Sequence, residues 1–170
     1  GWGVKNFTCG DKHEGYYEND KRSGFGRYFW VNGDEFAGTW KRGKMNGRGI
    51  KRMANGDKYN GLWVNDKAQG HGVKQFACGD WHEGAYHEDK RHGFGVYQWS
   101  NGDRFEGQWV RGRMIGRGTK VMANGDMYDG QWEEDKAQGW GVKFFANGDK
   151  HEGQYFADRR EGMGTYTWGN

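Results

Sequence analysis

The sequence predicts an all-β chain, an elongated single-layer antiparallel β-hairpin solenoid that runs as a twisted meander. Three observations predict it. A Gly-Asp pair recurs every 23 residues, at Gly10, Gly33, Gly56, Gly79, Gly102, Gly125 and Gly148. Large residues within each repeat alternate with a period of two, not the 3.6 of a helix. Finally, 33 glycines stand against no proline in 170 residues. Each glycine inside a helix costs about 1 kcal/mol, and a missing proline suits a sheet whose strands are nearly all central.

Residues 1–9 match the second strand of a partial repeat, and seven full units follow: 10–32, 33–55, 56–78, 79–101, 102–124, 125–147 and 148–170. Counted from its Gly, each unit has Gly at positions 1, 6, 15 and 17, Asp at 2, Tyr or Trp at 8 and Lys or Arg at 12. A longer period of 69 residues lies above this: units 1, 4 and 7 form one type, units 2 and 5 a second, units 3 and 6 a third. Duplication of a three-unit block accounts for it.

The first strand of a unit carries an aromatic or His, Gly and an aromatic at positions 4, 6 and 8. A turn follows around positions 11–12. The second strand carries Gly, Tyr or Lys, and Trp, Met or Phe at 17, 19 and 21. The closing loop is Ala-Asn-Gly or a relative of it. A two-residue Asn-Gly loop would scatter the aromatics over both faces. A three-residue loop closed by a left-handed Gly pairs position 19 with position 4 of the next unit and puts every large ring on one face. The second register is therefore expected. Positions 5, 7, 18 and 20, mostly Glu, Gln, Thr, Val and Lys, form a solvated reverse face. At ~4.8 Å per strand the array is a rod roughly 65–70 Å long, wider in its scattering than the ~16 Å radius of gyration of a globule this size.

Ten Trp, nine Tyr and ten Phe outnumber one Leu, two Ile and eight Val. An aliphatic core of ordinary size is excluded, and with it most α/β enzyme folds. Net charge is only +3, which with so many aromatics excludes a disordered chain. No run of ~18 apolar residues marks a membrane helix. His13, His82 and His151 share one repeat position about 29 Å apart, too far to share a metal. Cys9 and Cys78 are as widely spaced, whereas a disulfide needs Cα atoms within ~7 Å, so both read as free thiols. The row of position-2 aspartates is spaced near 10 Å, too wide for one calcium ion, and reads as capping of the Gly turns. No nucleophile elbow, Walker sequence or dinucleotide fingerprint occurs. The sequence offers no catalytic residue, metal ligand or cofactor site.

Tyr59-Asn-Gly61-Leu-Trp63, Phe105-Glu-Gly107-Gln-Trp109 and Tyr128-Asp-Gly130-Gln-Trp132, each followed by Gly-x-Gly, resemble the MORN repeat. That family reads Tyr-x-Gly-x-Trp, then Gly-x-x-His-Gly-x-Gly. The resemblance covers the whole chain. It departs where His replaces the first aromatic in units 1, 4 and 7, where Asp replaces the middle Gly in all but units 2 and 5, and where the family His survives only as His92. The resemblance implies a non-enzymatic array. Junctophilins, plant phosphatidylinositol-phosphate kinases, ciliary radial-spoke heads and apicomplexan cytoskeletal scaffolds use such arrays for assembly or targeting, sometimes with phospholipid binding.

The aromatic face supplies the candidate partner groove: Tyr17, Trp30, Trp40, Lys51, Tyr59, Trp63, Lys74, Phe76, Tyr86, Trp99, Phe105, Trp109, Lys120, Tyr128, Trp132, Lys143, Phe145 and Trp168. A single layer leaves this face bare, and its area exceeds the few hundred Å² a monomer exposes, so a partner is expected on it. Lys51, Lys74, Lys120 and Lys143 fit an acidic protein segment with interspersed Leu or Phe. Position 12 forms a basic edge, Lys21, Lys44, Lys67, Lys90, Arg113, Lys136 and Arg159, thickened by Arg22, Arg91 and Arg160. On an anionic membrane such residues contribute about 1 kcal/mol each. Two functions stay open. One is a protein-binding scaffold in a large cytoskeletal or ciliary assembly. The other is a phosphoinositide or anionic-membrane module, as in a lipid kinase. Both place the chain in the cytoplasm. Nucleic acid lacks the strong basic excess it needs. The array is expected to continue beyond both ends, since the chain starts mid-unit and stops where another Gly-Asp is due.

Overall fold

The computed structural model describes all residues, 1–170. Fifteen antiparallel strands follow one another in sequence order, without a helix. Two compact units divide the chain, Gly1–Asp89 and Lys90–Asn170. The first is a meander of β1 (Trp2–Asn6), β2 (Lys12–Glu18), β3 (Lys21–Phe29), β4 (Glu35–Lys41), β5 (Lys44–Arg52), β6 (Lys58–Val64), β7 (Lys67–Gln75) and β8 (Trp81–His87). The second is a meander of β9 (Lys90–Gln98), β10 (Arg104–Val110), β11 (Arg113–Val121), β12 (Met127–Glu133), β13 (Lys136–Phe144), β14 (Lys150–Phe156) and β15 (Arg159–Thr167).

The glycine turn has the expected form. Gly33, at φ 94°, closes a three-residue loop in which the Gly33 N–H donates to Trp30 O at 3.0 Å and the Trp30 N–H to Asp34 O at 2.9 Å. Tyr28 therefore stands opposite Phe36, and Lys51 opposite Tyr59. All the rings at positions 4, 8 and 19 share a face. The other turn begins one residue earlier than the sequence suggested. Asn19-Asp20 (φ 48° and 60°) and Arg42-Gly43 (φ 51° and 86°) are two-residue turns with both residues left-handed. Such a turn matches the right-handed twist of the strands it joins. Asp or Gly at its second position tolerates that conformation.

A feature absent from the sequence reading is a bulge in the hairpins β2–β3, β4–β5, β6–β7, β10–β11, β12–β13 and β14–β15. β4 has seven residues and β5 nine, and the register slips between Gly38 and Trp40. The slip sets Trp40 opposite Met45 and Trp63 opposite Ala68, and in the second unit Trp132 opposite Ala137. Position 13 thus becomes part of the aromatic face.

Aspartates tie each hairpin to the next. Asp34 Oδ1 accepts the Ala54 N–H at 2.9 Å, and Asp57 Oδ1 accepts the Ala77 N–H at 3.0 Å. Position 2 therefore caps the following glycine turn, not its own. Its own turn is closed by Asn32 Oδ1, which accepts the Asp34 N–H at 2.9 Å. An Asn side chain reaches two residues forward naturally, which frees the carboxylate to bridge. At the opposite edge Asp66 Oδ1 accepts the Met45 N–H and Asp89 Oδ1 the Ala68 N–H, both at 2.7 Å.

Candidate functional site

The aromatic face is not bare, which corrects the sequence reading. Phe36 and Phe105 have no exposed surface, and Trp40, Tyr59, Trp63, Tyr86, Trp109, Tyr128 and Trp132 are buried. Glycines make this possible without a second layer. Phe36 lies so close to Gly38 and Gly49 that a Cβ on either would meet its ring at 2.6 or 2.3 Å. The rings then interlock edge to face: Phe36 with Trp40 and Trp63 at 5.2 and 5.5 Å, Tyr59 with Trp63 and Tyr86 at 5.1 and 5.0 Å. The buried indoles of Trp40, Trp63, Trp109 and Trp132 each donate to a glycine carbonyl, as where Trp63 Nε1 donates to Gly49 O at 3.1 Å. Tyr17, Trp30, Phe76, Trp99 and Phe145 are half-buried, while Trp168 is 76% exposed.

The four groove lysines are half-buried and already engaged. Lys51 pairs with Asp34 at 3.4 Å and Lys74 with Asp57 at 3.6 Å, and in the second unit Lys120 pairs with Asp103 at 3.3 Å and Lys143 with Asp126 at 3.2 Å. Each ammonium also lies over the ring at position 21, for example Lys51 over Trp30 at 4.8 Å and Lys143 over Phe145 at 4.7 Å. The Ala146 N–H, followed by Lys143, holds the Asp126 carboxyl below its ordinary range.

Arg22 and Arg91 do not thicken the basic edge. Arg22 folds over Tyr28 and Trp40, 4.7 and 4.4 Å from the ring centres, and its Nη2 donates to Gly43 O at 2.7 Å. Arg91 repeats this over Tyr97 and Trp109 at 4.8 and 4.4 Å, with Gly112 O at 2.8 Å. The bulge explains the difference, because it turns position 13 onto the rings. Arg160 likewise lies over Tyr166, at 5.3 Å. Met45 fills the same slot one hairpin along and is buried.

Ala68 does not fill it. A cleft of about 210 Å³ opens there, lined by Lys51, Met53, Tyr59, Trp63, Asp66, Ala68, Lys74, Tyr86 and Asp89. Five of the expected groove residues meet in it: Lys51, Tyr59, Trp63, Lys74 and Tyr86. Asp66 and Asp89, which the sequence reading did not select, also line it. Burial, and then the Asp89 charge, push the Tyr59 hydroxyl up to about 12.

The position-12 edge is exposed throughout. Lys67 is paired with Glu88 and Arg113 with Glu134, while Lys21, Lys44, Lys90, Lys136 and Arg159 have no carboxylate within 4.0 Å. The reverse face is less polar than its sequence suggested. Phe25, Phe94 and Trp140 at position 16 are each at least half exposed, at 52%, 54% and 50%. Cys9 and Cys78 are free and exposed, and no group of three or more His, Cys, Asp or Glu is placed to hold a metal.

Seven consecutive matches to the MORN repeat run through the chain, over residues 13–35, 36–58, 59–81, 82–104, 105–127, 128–150 and 151–170. The chain belongs to the MORN-repeat family. Its period is that of the family, framed from the first aromatic position. No curated protein matches this MORN array. Among solved structures, the TCP domain of Drosophila melanogaster SAS-4, in complex with a proline-rich motif of Ana2, is 12% identical with a TM-score of 0.47, over 89% of this chain and 76% of that one. The TCP10c domain of Drosophila melanogaster Sas-4 is 14% identical with a TM-score of 0.41, over 97% of both chains. The TCP10 domain of Danio rerio CPAP, in complex with a STIL peptide, is 11% identical with a TM-score of 0.35, over 95% of this chain and 77% of that one.

Proposed function

We propose that this MORN array is a non-catalytic scaffold that holds a segment of a protein partner along its aromatic face, within a larger cytoskeletal or ciliary assembly. The observation that carries this reading is the cleft at Ala68, where rings, lysines and carboxylates converge on a face that is otherwise filled. An ammonium has three donors, and the pairing with Asp57 leaves Lys74 able to meet an acidic side chain of the segment as well. An apolar side chain enters beside Trp63. Interactions of this kind set register and partner choice more than raw affinity.

A photo-crosslinking residue at Met53, on the rim, should trap one defined protein chain in cells, and the same residue at Lys44, on the edge, should not. Lys51→Met with Lys74→Met should lower that yield about tenfold while the β-sheet circular dichroism stays unchanged. Methionine is preferred to glutamate because a reversed charge would face Asp34 and Asp57. The unpaired edge cations favour a second reading, contact with anionic lipid. Flotation with phosphatidylserine vesicles that is lost on reversing Lys21 and Lys44, combined with crosslinking only at the edge, would put that reading first.

A further inference from the structure

We infer that the cleft at Ala68 receives an arginine side chain presented by the protein partner, and that the matching position at Ala137 in the second unit does the same. This rests on the scaffold reading above and names the side chain that anchors it.

The array itself shows what occupies the slot. Where position 13 is Arg22 or Arg91, a guanidinium lies on two rings and donates to the carbonyl of the glycine turn beside it, Gly43 or Gly112. In the third unit type both partners of that arrangement change together. The arginine becomes Ala68 or Ala137, and the neighbouring turn residue becomes Asp89 or Asp158. The second unit type makes the same exchange but keeps the slot filled, with Met45 beside Asp66 and Met114 beside Asp135, so only Ala68 and Ala137 combine the added carboxylate with a missing side chain.

Turn chemistry explains only part of the exchange. Asp89 uses Oδ1 to accept the Ala68 N–H at 2.7 Å, and Asp158 does the same for the Ala137 N–H at 2.7 Å. That cap accounts for an aspartate but not for the missing side chain opposite Trp63 and Trp132. The second carboxylate oxygens of Asp66 and Asp89 have no ion pair, nor do those of Asp135 and Asp158, whereas the lysines on the other rim are neutralised by their own aspartates. The cleft therefore presents rings and two carboxylates that stand outside any ion pair. A planar guanidinium satisfies both, stacking on the aromatic wall and reaching a carboxylate with its forked donors. An ammonium would do the second better than the first.

Phage-displayed random 12-residue peptides, panned on the whole chain at low salt, provide the probe. Enriched peptides are expected to share an arginine at one fixed position. Their affinity should fall about tenfold or more in the chain carrying Ala68→Arg and Ala137→Arg, which fills both slots from within as Arg22 does. A second chain, with Asp66→Asn, Asp89→Asn, Asp135→Asn and Asp158→Asn, should lose the same affinity. Asparagine keeps the capping oxygen and tolerates the left-handed turn, so folding survives. Enriched peptides that lack a fixed arginine, or that bind both variants as tightly as the parent, overturn the inference and leave the scaffold reading standing. Failure to enrich any peptide on the aromatic face overturns both.

Discussion

Gly49→Ala should destabilise the first unit by about 3 kcal/mol or more, the upper range for overpacking a tight interior. An added Cβ would sit 2.3 Å from Phe36 Cζ and 2.4 Å from Cε2. Phe36 has nowhere to go: it has no exposed surface and is held edge to face by Trp40 and Trp63. For a domain of this size the thermal midpoint should drop by more than about 10 °C. Gly3 holds the same repeat position in the leading segment, but a Cβ there meets only Tyr17, at 3.7 Å. Gly3→Ala should therefore cost under ~1 kcal/mol, since ordinary contact needs no rearrangement. Phe36→Ala alone should cost about 3–5 kcal/mol through the cavity it leaves. Combined with Gly49→Ala it should cost much less than the sum, because the new methyl enters that cavity. Tryptophan fluorescence during urea and thermal unfolding reads all four proteins. A Gly49→Ala chain that melts within 2 °C of the parent would show that glycine is not what seats the rings.

Most of the fold was legible because the repeat is its own control. Seven copies of Gly-Asp fixed the turn, and the requirement that rings share a face fixed the register, so Tyr28 opposite Phe36 followed from parity alone. What parity does not reveal is how closely a ring approaches the backbone. The sequence reading therefore left the aromatic face bare, whereas Gly38 and Gly49 let Phe36 lie on the sheet and close it. The bulge had a visible sign in the glycine at position 15, Gly47 in the second repeat, since a strand glycine often marks one. Without it, Arg22 reads as an edge cation, and the series Arg22, Met45, Ala68 shows no pattern. The cleft is the consequence of that series. It was out of reach because it arises from a side chain that is missing. Local charge pairing was equally hidden: Lys74 reads as a free anchor until the turn brings Asp57 to 3.6 Å.

Mild acid should loosen the first unit as pH falls from about 6.5 to about 4. His13 has no exposed surface, shares a hydrogen bond between Nδ1 and Tyr17 Oη at 2.8 Å, and has a buried Nε2 with no hydrogen-bond partner. Burial, and then the Arg22 charge, lower its pKa from 6.5 to about 4. Burial and Arg160 lower that of His151 in the second unit. The folded chain thus keeps these imidazoles neutral in a window where the unfolded chain binds protons. Stability is complete above the unfolded pKa near 6.5, falls as pH drops towards 4, and levels once both states are protonated. At 1.36 kcal/mol per unit of pKa difference, His13 contributes on the order of 3 kcal/mol to this loss once pH is well below 4. Paired carboxylates such as Asp126, held below their ordinary range, release their contribution only at still lower pH, below about 4, so the two effects separate. Urea midpoints at pH 7.5, 5.5 and 4.5 measure the slope. His13→Phe installs the residue that the second and fifth repeats carry at this position, Phe36 and Phe105, and should reduce the first unit's response between the upper two values, the equally buried His82 remaining in that unit. An unchanged slope in that variant would assign the acid sensitivity to other groups and leave the imidazole a spectator of the packing around it.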